Sequence, residues 1–524
     1  MEVAMPEADL VKTGIAGFDD ILFGGIPRGN VILLEGSIGT GKTTLGVEFV
    51  YRGASQFDEP GVIVLFEVSP EKVTRDALRF GWDLAALERR GRLKIVFTTR
   101  EVLRQELQQA DSVLLEEAAK IGARRIYVDG VARLFGDSDG ASESRSAFHV
   151  LTEGLQRESL TAVLAVEASS FDGRLRANSM PEESIADTVI RLKMEDHQRA
   201  VMRSIEVVKS RGQAYQMGRH TLQILDGKGL RVYRRVQAMS SAPRDTVATY
   251  DPSERIPTGI PGLDEIVNGG YFVGSTTVMA GISGVGKSVM GIQYIAEGTR
   301  RGERCLMLSL DERVPQIIRN ARSIGVDLQR EIDRGLVHLE YDSPQEIEVD
   351  VHFDHIERLV KDFKPTRVVI DSLSTYASTM GTQGRIFRDF FNALTALMKE
   401  QKVTTVYNHE NPEMLGMATM MGQFAMSSLV DNIVLLNWAE IGDTFRLGMT
   451  IAKMRANPVN RVTHECEILN GKGMRVLSRE LRVSPQKPFS SYSGLVSRAP
   501  ERRSFEAANN NREPNSGSPE EDLD

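Results

Sequence analysis

The feature that most limits what this chain can fold into is that it is written twice. Thr13-Gly14-Ile15, Gly17-Phe18-Asp19 and Gly24-Gly25 recur as Thr258-Gly259-Ile260, Gly262-Leu263-Asp264 and Gly269-Gly270, at an offset of 245. GSIGTGKT (36–43) recurs as GISGVGKS (281–288) at the same offset. Further on, GWDL (81–84), VKSRG (208–212) and GKGLRV (227–232) recur as GVDL (325–328), AKMRA (452–456) and GKGMRV (471–476) at 244. A repeat of this length implies two copies of one domain, and 524 residues divide into two of ordinary size. The sequence predicts one domain over 1–240, a linker of small, polar and Pro residues over 241–255, and a second domain over 256–480. Residues 481–524, rich in Asn, Glu, Pro and Ser, read as a disordered acidic tail.

Within each half, short apolar runs such as NVILLEG, GVIVLFE, RRIYVDG and LTAVLAVE alternate with longer helical patterns. That order predicts an α/β fold, a mainly parallel twisted sheet flanked by helices. Near the end of the first half, SIEVVKS and QILDGKGLRVY read as hairpin-like strands that extend the sheet antiparallel.

Both octapeptides satisfy G-x-x-x-x-G-K-[ST], follow an apolar strand and open a helical pattern, which is the setting a phosphate-binding loop needs. The first nucleotide-binding set is Gly36, Ser37, Ile38, Gly39, Thr40, Gly41, Lys42, Thr43 and the following Thr44. The second is Gly281, Ile282, Ser283, Gly284, Val285, Gly286, Lys287, Ser288 and Val289. The glycines let main-chain N–H groups curl around phosphates, Lys42 and Lys287 reach the β/γ oxygens, and Thr43 and Ser288 are candidate Mg²⁺ ligands. RRIYVDG and RVVIDS end apolar strands with Asp129 and Asp371, which complete the candidate metal sets.

Phosphoryl transfer also needs a carboxylate to orient or deprotonate the nucleophile. The candidates stand at the end of the second strand of each half: Glu67 in the first, Asp311 with Glu312 in the second. Alternation along a strand predicts that only one of Asp311 and Glu312 faces the nucleotide. Lys209 with Arg211, and Lys453 with Arg455, are spaced i, i+2 on one strand face, where a cation at a subunit edge can stabilise transferred phosphate in a neighbour.

Composition narrows the function classes. A net charge of −8 and a pI near 5.7 offer no global attraction for nucleic acid. No apolar run approaches a bilayer-spanning length. With only Cys305 and Cys466, and no basic flank and apolar stretch among the first residues, a cytoplasmic setting is expected.

With those residues assembled, the chain resembles the KaiC family, the two-domain RecA-like ATPases of the cyanobacterial clock and their bacterial relatives. The resemblance covers about residues 10–480 and rests on the TGIxGxD openings, both loops, FGWDL, VVIDSLS, KMR and SSLVDNIVLL. It implies tandem RecA-like P-loop NTPase domains, ATP and Mg²⁺ as cofactors, and a homo-hexamer with nucleotide at the subunit interfaces. Glu67, Asp129, Lys209 and Arg211 in the first half, and Asp311, Glu312, Asp371, Lys453 and Arg455 in the second, would carry catalysis. The Lys-x-Arg cations would act from the adjacent subunit. KaiB-like or other regulatory proteins are the implied partners. The family usually shows paired Glu after the second strand, where this chain has Glu67-Val68 and Asp311-Glu312.

The family also autophosphorylates adjacent hydroxyl residues in its second half, and those positions match Ser427 and Ser428. FAMSSLVDNI (424–433) shares a frame with MPEESIADTV (180–189), so Ser427 stands where the first half has Glu183. A hydroxyl can accept phosphate and a glutamate cannot. The expected function is therefore ATP hydrolysis in both halves with serine autokinase activity in the second, as a clock or signalling switch. The alternatives are a RecA-like DNA-dependent ATPase, which the small, polar segments after Asp129 and Asp371 disfavour, and a nucleotide-sensing scaffold with little turnover.

Overall fold

The computed structural model describes residues 9–99, 101–103, 113–131, 141–167, 181–197, 200–236, 254–380, 384–410, 428–441, 444–458 and 461–480. Ser427, most of the linker and the acidic tail lie outside the described residues.

Two nine-stranded sheets form, one per half, with the same strand order. The first contains β1 (Val31–Gly36), β2 (Gly61–Leu65), β3 (Leu93–Phe97), β4 (Arg125–Val128), β5 (Thr161–Glu167), β6 (Thr188–His197), β7 (Ala200–Ser210), β8 (Arg219–Leu225) and β9 (Gly229–Tyr233). Its order is β9-β8-β7-β6-β1-β5-β4-β2-β3, with β1 to β6 mutually parallel and β7 to β9 antiparallel. The second repeats this with β10 (Thr276–Gly281), β11 (Cys305–Ser309), β12 (Val337–Tyr341), β13 (Arg367–Asp371), β14 (Thr404–Glu410), β15 (Asn432–Ile441), β16 (Thr444–Met454), β17 (Thr463–Leu469) and β18 (Gly473–Glu480). These are tandem RecA-like domains, and the central strand of each, β1 or β10, feeds the phosphate loop.

Why the central strands are apolar throughout follows from coverage on both faces. Ile32 and Leu34 pack in a core with Leu45 and Phe49 of the helix after the loop, α1 (Lys42–Gln56). Val31 and Leu33, one step out of phase, pack instead with Phe148, Leu151 and Leu155 on the opposite face. In the second half Met279 joins the core with Met290 of α2 (Lys287–Arg300), while Val278 and Ala280 face Phe387, Phe391 and Leu394.

In each half a buried arginine anchors, from its start, the strand that ends at or just before Asp129 or Asp371. Arg125 has no exposed surface; it pairs with Glu59 at 2.6 Å and donates to the carbonyls of Phe49 and Lys12. Arg367 does the same with Glu303 at 2.5 Å and with the carbonyls of Pro257 and Tyr294. Removing one partner of such a pair costs about 3–5 kcal/mol, because the other charge stays buried alone.

Among the other helices of the second half are α3 (Val314–Ser323), α4 (Val349–Phe363) and α5 (Leu373–Thr379). The acids of α4 reach the first half. Asp350 accepts from Thr221 Oγ1 and the Val236 amide, and Asp354 pairs with Arg231 at 3.2 Å. Among the described residues no helix is long and apolar enough to cross a membrane.

Candidate active sites and the serine segment

Each phosphate loop starts where its central strand stops. Gly39 and Gly41 take φ of 81° and 103°, Gly284 and Gly286 take 82° and 90°, a left-handed region that side chains disfavour. These turns aim successive N–H groups inward. α1 and α2 begin at the loop lysines with no capping side chain and no acid in the first turn, so their first amide donors stay directed at the loop. Lys42 Nζ donates to the carbonyls of Gly36 and Ser37 at 2.7 and 2.9 Å, and Lys287 Nζ to those of Gly281 and Ile282 at 2.9 and 2.8 Å. Thr43 Oγ1 donates to Asp129 Oδ2 at 3.1 Å, and Ser288 Oγ to Asp371 Oδ2 at 2.7 Å. In both halves a hydroxyl and a carboxylate thus converge beside an ammonium, which fits a nucleotide phosphate with its magnesium ion. Burial pushes the Asp371 carboxyl up, and the Ser288 hydrogen bond opposes it.

The candidate bases lie beyond their strands. β2 ends at Leu65 and β11 at Ser309, so Glu67, Asp311 and Glu312 occupy bends. Alternation therefore does not separate Asp311 from Glu312; their hydrogen bonds do. Thr375 Oγ1 of α5 donates to Asp311 Oδ1 at 2.6 Å, beside the Asp371 strand end, whereas Asn320 Nδ2 of α3 draws Glu312 Oε2 away at 2.9 Å. Asp311 also acts on Lys287: burial lowers that ammonium's pKa, and the charges of Glu410, Asp371 and Asp311 oppose the shift.

Two acids escaped the reading of the sequence. Glu167 ends β5 in register with Gly36, and Glu410 ends β14 in register with Gly281. Burial lowers the Lys42 pKa, and the first opposing charge is Glu167. LTAVLAVE and TTVYNHE both stop on Glu, but only the strand order puts that position against the loop.

The Lys-x-Arg pairs stand at the other end of the sheet. Lys209 Nζ donates to the carbonyls of Glu183 and Ala186 at 3.0 and 2.6 Å, and Arg211 to that of Ser184 at 2.9 Å. Lys453 Nζ donates to the Val430 carbonyl at 2.6 Å, and Arg455 to that of Ser428 at 2.7 Å. Asp187 and Asp431 fix these segments by accepting from the amides that open β1 and β10, Val31 and Thr276, each at 3.0 Å. The loops lie at the far ends of the same strands, about 20 Å away for a six-residue strand. Within one chain, neither the cations nor exposed Ser428 approach their own loop.

Glu183 differs from its counterpart in more than charge. Arg191 Nε donates to buried Glu35 at 2.9 Å and Arg191 Nη2 to Glu183 at 3.3 Å. Glu35 and Arg191 are register partners on β1 and β6; on β10 and β15 the matching partners are Ala280 and Leu435. Among the described residues the second half thus has no counterpart of the Glu35–Arg191 pair.

Two tandem P-loop folds, each with a loop lysine, a hydroxyl–carboxylate pair and a Lys-x-Arg strand end, define the class of tandem RecA-like ATPases. A family model described as the ATPase KaiC matches residues 11–237 and again 256–481. The chain is 31% identical over 513 residues to the circadian clock oscillator protein KaiC of Thermostichus vulcanus, covering 96% of this chain and 94% of that protein. It is 30% identical to the KaiC of Rippkaea orientalis, over 95% and 93% of the two chains. With the KaiC of Synechococcus elongatus the identity is 29%, over 94% and 92%. The chain belongs to the KaiC family of ATPases.

Proposed function

We propose that the protein hydrolyses ATP in both halves and, in its second half, transfers the γ-phosphoryl group to Ser427 or Ser428 of a neighbouring copy, in a closed homo-hexameric ring. The observation that carries this reading is the separation of Lys453, Arg455 and Ser428 from their own loop by the length of β10. Head-to-tail packing of copies joins what one chain keeps apart.

In that arrangement the loop amides and Lys287 hold the β/γ-phosphates of one subunit. Ser288 and Asp371 would hold Mg²⁺, which when bound neutralises charge on the phosphate oxygens. Asp311, kept in place by Thr375, takes the proton from the neighbour's serine hydroxyl as its oxygen attacks phosphorus and ADP leaves. Arg455 and Lys453, offered by the neighbour, stabilise charge on the transferring group. In the first half Glu183 replaces the hydroxyl, so water is the acceptor and Glu67 its orienting base. A serine that gains and loses phosphate, opposite a half with fixed charge, makes the second half a reversible switch of the clock or signalling kind.

The test is phosphopeptide mapping after incubation with Mg-ATP. Phosphate on Ser427 or Ser428 is expected; its absence from both removes the kinase part and leaves hydrolysis standing.

A further inference from the structure

Away from both loops, the edge strand of the second sheet carries metal-binding side chains at strand spacing. His338, Glu340 and Asp342 follow at i, i+2 and i+4 along β12 and one residue past it, so they share a face. His352 and His355 of α4 meet that face at the helical spacing i, i+3. His355 Nε2 lies 3.0 Å from Glu340 Oε1, His338 Nε2 lies 2.8 Å from Glu340 Oε2, and His352 Nδ1 lies 3.5 Å from Asp342 Oδ2. One donor atom from each of Glu340, Asp342 and His355 falls within 4.8 Å of the other two.

We propose that Glu340, Asp342 and His355 form a binding site for a first-row divalent cation of the zinc or cobalt type, separate from the nucleotide magnesium sites. Ligand bonds of about 2.0–2.2 Å draw donors to little more than 3 Å apart, a separation His355 and Glu340 already have. An imidazole among the ligands favours zinc or cobalt over magnesium and calcium, which take oxygen sets. Two carboxylates and a histidine leave room for water as the remaining ligand. The bond between His338 and the second Glu340 oxygen orients that carboxylate.

His352 is buried, with its Nε2 2.6 Å from Tyr376 Oη and its Nδ1 on the Asp342 side, so its ring closes the inner wall of the site. The three ligands are half-buried, which leaves a path from solvent. A bound ion would staple β12 to α4, whose Asp350 and Asp354 hold the first half.

The test uses the full chain, free of any tag, stripped of metal and then saturated with Mg²⁺ and a non-hydrolysable ATP analogue so that both loops are filled. Zn²⁺ is titrated by calorimetry and Co²⁺ by visible absorption. One ion per chain is expected, with binding weakened about 10–100-fold in His355→Ala and in Glu340→Gln, and unchanged in His149→Ala, a surface histidine elsewhere. Should His355→Ala fail to fold, the isosteric Glu340→Gln carries the comparison. No stoichiometric binding below about 0.1 mM, or equal affinity in Glu340→Gln and the unaltered chain, overturns the proposal.

Discussion

Arg455 donates to the main-chain carbonyl of Ser428 at 2.7 Å, as Arg211 does to that of Ser184 at 2.9 Å. The same cation that is proposed to serve a neighbour's phosphate therefore also positions the segment that is proposed to receive it. Arg455→Ala is expected to lower phosphoryl transfer in the second half about 10²–10³-fold and to leave first-half ATP turnover unchanged. Arg211→Ala is expected to do the reverse. Phosphate release and phosphoserine formation, measured on both variants, separate the two.

The divergence of Asp311 and Glu312 sets a second comparison. Asp311 is held by Thr375 next to the Asp371 end of β13, whereas Glu312 is turned toward Asn320. Asp311→Asn should slow serine phosphorylation in single-turnover assays about 10²–10⁴-fold, the usual loss of a general base, and Glu312→Gln by less than about tenfold. The opposite ranking would assign the base to Glu312.

Hydrolysis should divide between the halves. Lys42→Ala and Lys287→Ala are each expected to remove turnover from one loop, the two residual rates adding to that of the unaltered protein. If either variant keeps the full rate, the corresponding loop binds nucleotide without turning it over.

A stability prediction comes from one position where the copies differ inside the core. Glu48 is buried and accepts from the Leu230 amide at 2.8 Å; in the second half Gln293 receives the Met474 amide at the same distance. Burial raises the Glu48 pKa to about 7, above its unfolded value near 4.5. Between those two values the native state holds more protons than the unfolded one, so stability falls as pH rises through the window. Glu48→Gln should remove that fall. Urea unfolding should show little change at pH 5 and a gain on the order of 1–3 kcal/mol at pH 8.

How much of this was legible beforehand depended on range. The loop residues from Gly36 to Thr43 and from Gly281 to Ser288 are contiguous, and their strand-loop-helix setting is local, so the sequence carried both. The α/β class was equally open, because each buried strand is an apolar run. Glu167 and Glu410 were not, since their place beside the loops follows from β5 and β14 lying next to β1 and β10, a long-range pairing. The Glu35, Arg191 and Glu183 cluster was hidden for the same reason: Glu35 and Arg191 are 156 positions apart and meet only through the β1–β6 register. Asp311 and Glu312 were misjudged as strand residues because the end of an apolar run does not reveal where hydrogen-bonded pairing stops.

The central claim is that a serine in one copy is phosphorylated by the second-half loop of another, and mixing subunits tests it most directly. Lys287→Ala chains, which keep both serines, are combined with Ser427→Ala/Ser428→Ala chains, which keep the loop, and each is also incubated alone with Mg-ATP. The account predicts phosphate on Ser427 or Ser428 of the Lys287→Ala chains in the mixture and in neither variant alone. Unphosphorylated serines in verified mixed rings, alongside phosphorylation in the unaltered protein, would contradict it and place transfer within a single chain.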